Sequence, residues 1–133
     1  MNARRARRGP SPSLPRMRAR SFGFFFVLAG IMHFVAPRWY ASIVPRGLPA
    51  RRAIVYASGV AEIACGAAVL HPRTRRLGSR LSVATLLAVF PANVDMALHP
   101  ERHRVPGGRL ALYLRLPLQA LFVAWARAAA AER

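Results

Sequence analysis

Lysine is absent from the 133 residues, and only four acids, Glu62, Asp95, Glu101 and Glu132, stand against 21 arginines. Every strongly basic side chain is therefore a guanidinium, and the formal net charge is +17. Cysteine is nearly absent too. Cys65 alone excludes an intramolecular disulfide, a CxxC redox pair and a thiolate zinc site, and it reads as a small packing residue. No haem, flavin, metal or dithiol motif is present, so electrons for any redox step must come from another protein. The chain is not expected to be an enzyme on its own.

What the chain has in excess is apolar sequence. Hydrophobic residues make up 54% of it and the mean hydropathy is +0.23, more than a soluble domain of this length could bury. Extreme basicity first suggests nucleic acid, through phosphate neutralisation. The arginines argue otherwise, because nearly all of them fall in the gaps between apolar segments rather than on a folded face interleaved with aromatics. Nucleic acid is not an expected partner.

Four apolar stretches, 22–36, 53–70, 81–98 and 110–126, approach with their flanks the roughly 20 residues needed to cross a hydrocarbon core. Backbone hydrogen bonds must close within each segment in lipid, so each is expected to be a helix. The fold expected is all-α: a four-helix transmembrane bundle over residues 21–130, preceded by a disordered Arg-rich tail at 1–20 that has too little apolar sequence to fold. With four spans, the tail, second loop and C-terminus carry seven, four and two arginines, against four and three in the first and third loops. Both termini are then expected in the cytoplasm. Met17 is an equally good start, and from it the balance narrows to eight against seven.

Each span carries a polar residue that lipid would reject: His33 in the first, Ser58 and Glu62 in the second, Asn93 and Asp95 in the third, Arg115 and Gln119 in the fourth. A central Asp, Glu or Arg costs about 2.5–3.5 kcal/mol on insertion scales, so these groups are expected to face each other or a cavity. At about 1.5 Å rise per residue, His33, Asn93, Arg115 and Asp95 fall about 6–9 Å from the midplane on one side, with Glu62 and Gln119 near the centre. This polar layer is the candidate site. A Glu62–Arg115 ion pair is expected within it, with Asn93 and Gln119 completing hydrogen bonds. Ser58, Glu62 and Gly66 recur every four residues and make a seam for close helix approach. Pro91 and Pro117 loosen the third and fourth helices near the layer. Trp39 and Tyr40 are expected as headgroup-level anchors, and the loop 37–52 as a stiff, non-helical connector.

The segments AGIMHF with Pro37 and Tyr40, IVPRGLP, SGVAEIACG, PRTRR, FPANVDMAL and RLPLQ with Trp125 follow one another at the spacing of the DoxX-like family of small bacterial membrane proteins, which the chain resembles from about Phe22 to Trp125. The resemblance implies a four-helix bundle in the bacterial cytoplasmic membrane and carries motif roles onto His33, Glu62, Asn93, Arg115 and Gln119. Asp95 and Cys65 depart from the family pattern. It further implies an accessory subunit of a quinone- or thiol-linked membrane redox system; no cofactor is evident in the sequence and a quinone is the candidate, and the alternative is a non-enzymatic assembly or scaffold factor. Expected partners are the bilayer, a membrane oxidoreductase or a client membrane protein, and a second copy of the chain.

Overall fold

A computed structural model describes residues 14–131, and all regular secondary structure among them is helical. The helices are α1 (Leu14–Val35), α2 (Pro37–Ile43), α3 (Arg51–Leu70), α4 (Arg75–Leu98) and α5 (Gly108–Ala130), with one 3-10 turn at Pro100–Arg102. Prolines mark several boundaries. Pro37 forces Ala36 out of the helical region, at φ −125° and ψ 51°, so α1 stops at Val35 and α2 starts on the proline itself. Pro45 likewise leaves Val44 extended at the end of α2. Pro91 and Pro117 interrupt the hydrogen bonding of α4 and α5 without ending either helix.

Two expectations are corrected. The connector 37–52 is partly helical, because a proline at the first helical position needs no N–H partner and the following Arg-Trp-Tyr-Ala-Ser-Ile run carries no breaker. The tail boundary at residue 20 is too late, since 14–20 belong to α1 and Ala19 is fully buried in the core. The remainder of the tail, 1–13, lies outside the described residues.

Three helices are long and apolar enough to cross a membrane, over Arg16–Val35, Arg51–Leu70 and Arg75–Leu98. Helix α5 is as long, at 23 residues, but Arg115, Gln119 and Arg127 dilute its hydropathy. Large apolar side chains point away from the protein on every long helix: Phe24, Leu28, Val60, Leu87 and Leu121 are all more than half exposed. Water would oppose such a surface and lipid would accommodate it.

The buried core fills one end of the helix array, where α1 begins and α5 ends. Ala19, Phe22 and Phe26 of α1 pack with Cys65 and Val69 of α3, Leu86 of α4, and Ala126 and Ala129 of α5. Aromatic contacts tie α1 to α5 there, with Phe22 edge-on to Trp125 at 5.4 Å and Phe25 against Phe122 at 5.0 Å. Toward the other end the same helices diverge around a cavity. What keeps α1 and α3 together along their length is glycine. A Cβ on Gly30 would lie 2.6 Å from the Gly59 carbonyl oxygen, and one on Gly66 2.7 Å from that of Gly23, so backbone meets backbone twice. Val55, Glu62 and Val69 bury the same face of α3.

Candidate functional site: a polar-lined cavity

The glycine contacts decide which polar groups meet. Gly30 and His33 are three residues apart on α1, Gly59 and Glu62 three apart on α3, so clamping the two glycines carries His33 against Glu62. His33 Nδ1 lies 3.5 Å from Glu62 Oε2, but it sits closer, at 2.9 Å, to the Ala29 carbonyl oxygen. A carbonyl only accepts, so Nδ1 carries the proton and donates it to Ala29. Glu62 Oε2 is therefore buried without a hydrogen-bond partner, in a residue only 8% exposed. A buried carboxyl oxygen in that condition is costly and calls for a reason.

The reason is the space in front of it. A cavity of about 700 Å³ opens between the helices, walled mainly by apolar side chains including Phe25, Phe26, Leu86 and Phe122. Seven polar side chains reach its lining: His33, Tyr40, Ser58, Glu62, Asn93, Arg115 and Gln119. Some are spent on one another. Asn93 Nδ2 donates to Gln119 Oε1, and Gln119 Nε2 donates to the Leu86 carbonyl, so the amides bridge α4 and α5 and are fixed in orientation. Arg115 Nε donates to Asn93 Oδ1 at 3.4 Å, while its guanidinium carbon lies 5.5 Å from the centre of the Trp39 ring. Arg115 has no carboxylate within ion-pair distance among the described residues.

The expected Glu62–Arg115 pair does not form. Both groups line the one cavity, but position along a helix leaves that helix free to rotate. The glycine contacts set that rotation, turning Glu62 to α1 and leaving Arg115 to α4 and α2. Asn93 and Gln119 do hydrogen-bond as expected. Asp95 stands outside the cavity, near the end of α4, with Oδ1 3.8 Å from His99 Nε2 and Oδ2 3.9 Å from His103 Nε2. Two residues beyond Asn93, it is turned about 200° around the helix axis. Among the described residues no group of His, Cys, Asp and Glu side chains is arranged to hold a metal ion.

Trp39 and Tyr40, expected as lipid anchors, turn inward. The Tyr40 ring stacks on His33 at 3.9 Å between centres and lines the cavity, and Trp39 lies under Arg115. Helix α2 thus closes one side of the site. Burial raises the Tyr40 phenol above its usual range, the nearby Glu62 charge adds to the shift and Arg115 opposes it, so Tyr40 remains an O–H donor at neutral pH. Sequence reading missed Tyr40 as a site residue, because the break at Ala36 leaves no helical register between it and His33. Cys65 packs in the core as expected, its Sγ 3.9 Å from Thr85 Oγ1.

No curated protein and no solved structure matches the chain. A family model described as a domain of unknown function, DUF8561, matches residues 22–130. That stretch takes in α2 to α5 whole, most of α1 and every polar side chain lining the cavity, and the chain belongs to the DUF8561 family.

Proposed function

We propose that this protein is a four-span, DoxX-like protein of the bacterial cytoplasmic membrane that binds the head of a membrane-soluble amphiphile, an isoprenoid quinone, as an accessory subunit of a membrane redox system. One observation carries the reading: a mainly apolar cavity of about 700 Å³ in which a buried carboxyl oxygen, a phenol and an arginine without a carboxylate partner are left with hydrogen-bonding capacity. The volume suits a small amphiphile, and a few placed polar groups in an apolar pocket are the usual means of orienting one. Quinone carbonyls need donors, which Arg115 and Tyr40 supply. The hydroxyl of the reduced form needs an acceptor, which Glu62 Oε2 supplies. When bound, the quinone provides the electron chemistry; the chain holds its head, excludes water with the Phe25, Phe26 and Phe122 wall, and exchanges a proton at Glu62. In this reading α5 is the fourth span, and its Arg115 and Gln119 face the cavity rather than lipid.

The scaffold alternative relied on the α3 seam as a docking face for other helices. Two of its three positions face α1, Gly66 against the backbone of Gly23 and Glu62 against His33, while Ser58 lines the cavity. The test is organic extraction of the purified chain, followed by titration with a short-tailed quinone read through fluorescence of Trp39 beside Arg115. Saturable binding that weakens about tenfold in Tyr40→Phe, the loss of one hydrogen bond to the head, is expected. Absence of both extractable and titratable quinone would overturn the reading.

A further inference from the structure

A second groove, of about 460 Å³, runs between the first half of α4 and the last turns of α5, at the opposite end of the array from the polar layer. Helix α4 gives it Ser79, Arg80, Val83 and Leu87, and α5 gives it Val123, Arg127 and Ala130, each set recurring at helical spacing. One arginine from each helix thus stands over a shared apolar floor. Nothing else in the lining offers a donor, because the Ser79 hydroxyl is already committed to the Ala126 carbonyl. Neither arginine has a carboxylate partner among the described residues, whose three acids all lie elsewhere: Glu62 within α3, Asp95 near the far end of α4, and Glu101 beyond it.

We propose that this groove is a binding site for an anionic phospholipid, its phosphate held between Arg80 and Arg127 and an acyl chain laid along Val83, Leu87 and Val123. The guanidinium fork matches phosphate oxygens, and two forks from two helices give a defined point rather than a diffuse field. Charge that merely sets topology belongs in the flanking loops, where Arg73 stands. Arg80 and Arg127 lie inside their helices, five residues past the start of α4 and three before the end of α5, at the depth where a headgroup meets the first methylenes. Leu87 lies seven residues, about 10 Å, below Arg80, so the floor follows an acyl chain inward. The proposal rests on the chain lying in a bilayer and is independent of what fills the main cavity.

The test reconstitutes the full chain into phosphatidylcholine vesicles carrying a trace of photoreactive phosphatidylglycerol or, in parallel, photoreactive phosphatidylcholine. Flotation with the vesicles checks membrane insertion separately. Adducts are expected on residues 79–87 and 123–130, with the anionic probe favoured about thirtyfold, two arginines' worth of attraction near the surface. The preference should vanish in Arg80→Gln/Arg127→Gln and persist in Arg73→Gln/Arg76→Gln, which removes the same charge from outside the groove. Adducts spread evenly over the helices, equal loss in both double variants, or displacement of the probe by inorganic phosphate at matched concentration would each overturn a lipid site. The wild-type adduct map decides even where the glutamine pair fails to fold.

Discussion

Glu62 is the residue on which the site turns, because its Oε2 is buried beside a histidine whose near proton is spent elsewhere. Glu62→Gln keeps the shape and removes the charge. Without a bound ligand the wild-type carboxylate is a burden, so the variant is expected to unfold in detergent at the same temperature or higher, while binding the quinone analogue about tenfold more weakly through loss of one acceptor. A double-mutant cycle separates the observed neighbours from the expected ones: Glu62→Gln should couple with His33→Asn by more than about 0.5 kcal/mol and be additive with Arg115→Gln within that margin. Tyr40 gives an independent check outside the long helices. Its phenol is held protonated by burial and by the Glu62 charge, so a high-pH component of the ultraviolet phenol titration should disappear in Tyr40→Phe and move to lower pH in Glu62→Gln. At this scale the polar layer was legible, because charge in an apolar run is conspicuous. The pairing within it was not, since residue spacing fixes the depth of His33, Glu62 and Arg115 but not the direction each helix faces.

Two glycine contacts between α1 and α3 set that direction. Alanine at Gly30 or Gly59 would bring a methyl within 2.6 or 2.8 Å of its nearest neighbour, in the first case a backbone oxygen that cannot rotate away. Each substitution gains about 1 kcal/mol of helix propensity and should still destabilise by about 1–3 kcal/mol, because overpacking a backbone contact forces the helices apart. Gly47, where an added methyl would meet nothing within 4 Å, is the control, and Gly47→Ala should leave the thermal midpoint unchanged. Opening the contact also withdraws His33 from Glu62, so Gly30→Ala should weaken quinone binding along with stability. Small residues at four-residue spacing announced a close approach on α3; what they could not announce was that α1 is the helix that fills it. Helix α2 was hidden for a different reason. Proline reads as a breaker, yet Pro37 occupies the one helical position where its missing N–H costs nothing.

For the molecule as a whole, the open physical question is whether α5 crosses the membrane or lies along it. Its 23 residues span about 35 Å, enough for a hydrocarbon core of about 30 Å. Against this stand Arg115 and Gln119, which on an isolated helix would resist insertion. The packing removes the objection. Both side chains turn into the cavity and bond to α4, whereas large residues that the first four turns of α5 present away from it, Leu110, Leu114 and Leu121, are apolar. A surface-lying helix would show the reverse arrangement, with its polar residues outward. In the proposed four-span reading both ends of the chain lie on one side and the segment between α4 and α5 on the other. Reporter fusions after Arg133 and within the loop at Arg104 should therefore give opposite signals. Matching signals would mean that α5 does not cross. Truncation before Met17 leaves arginine counts of eight and seven on the two sides, so orientation should become mixed if the removed charges set it, while the opposition between the two reporters survives within each orientation.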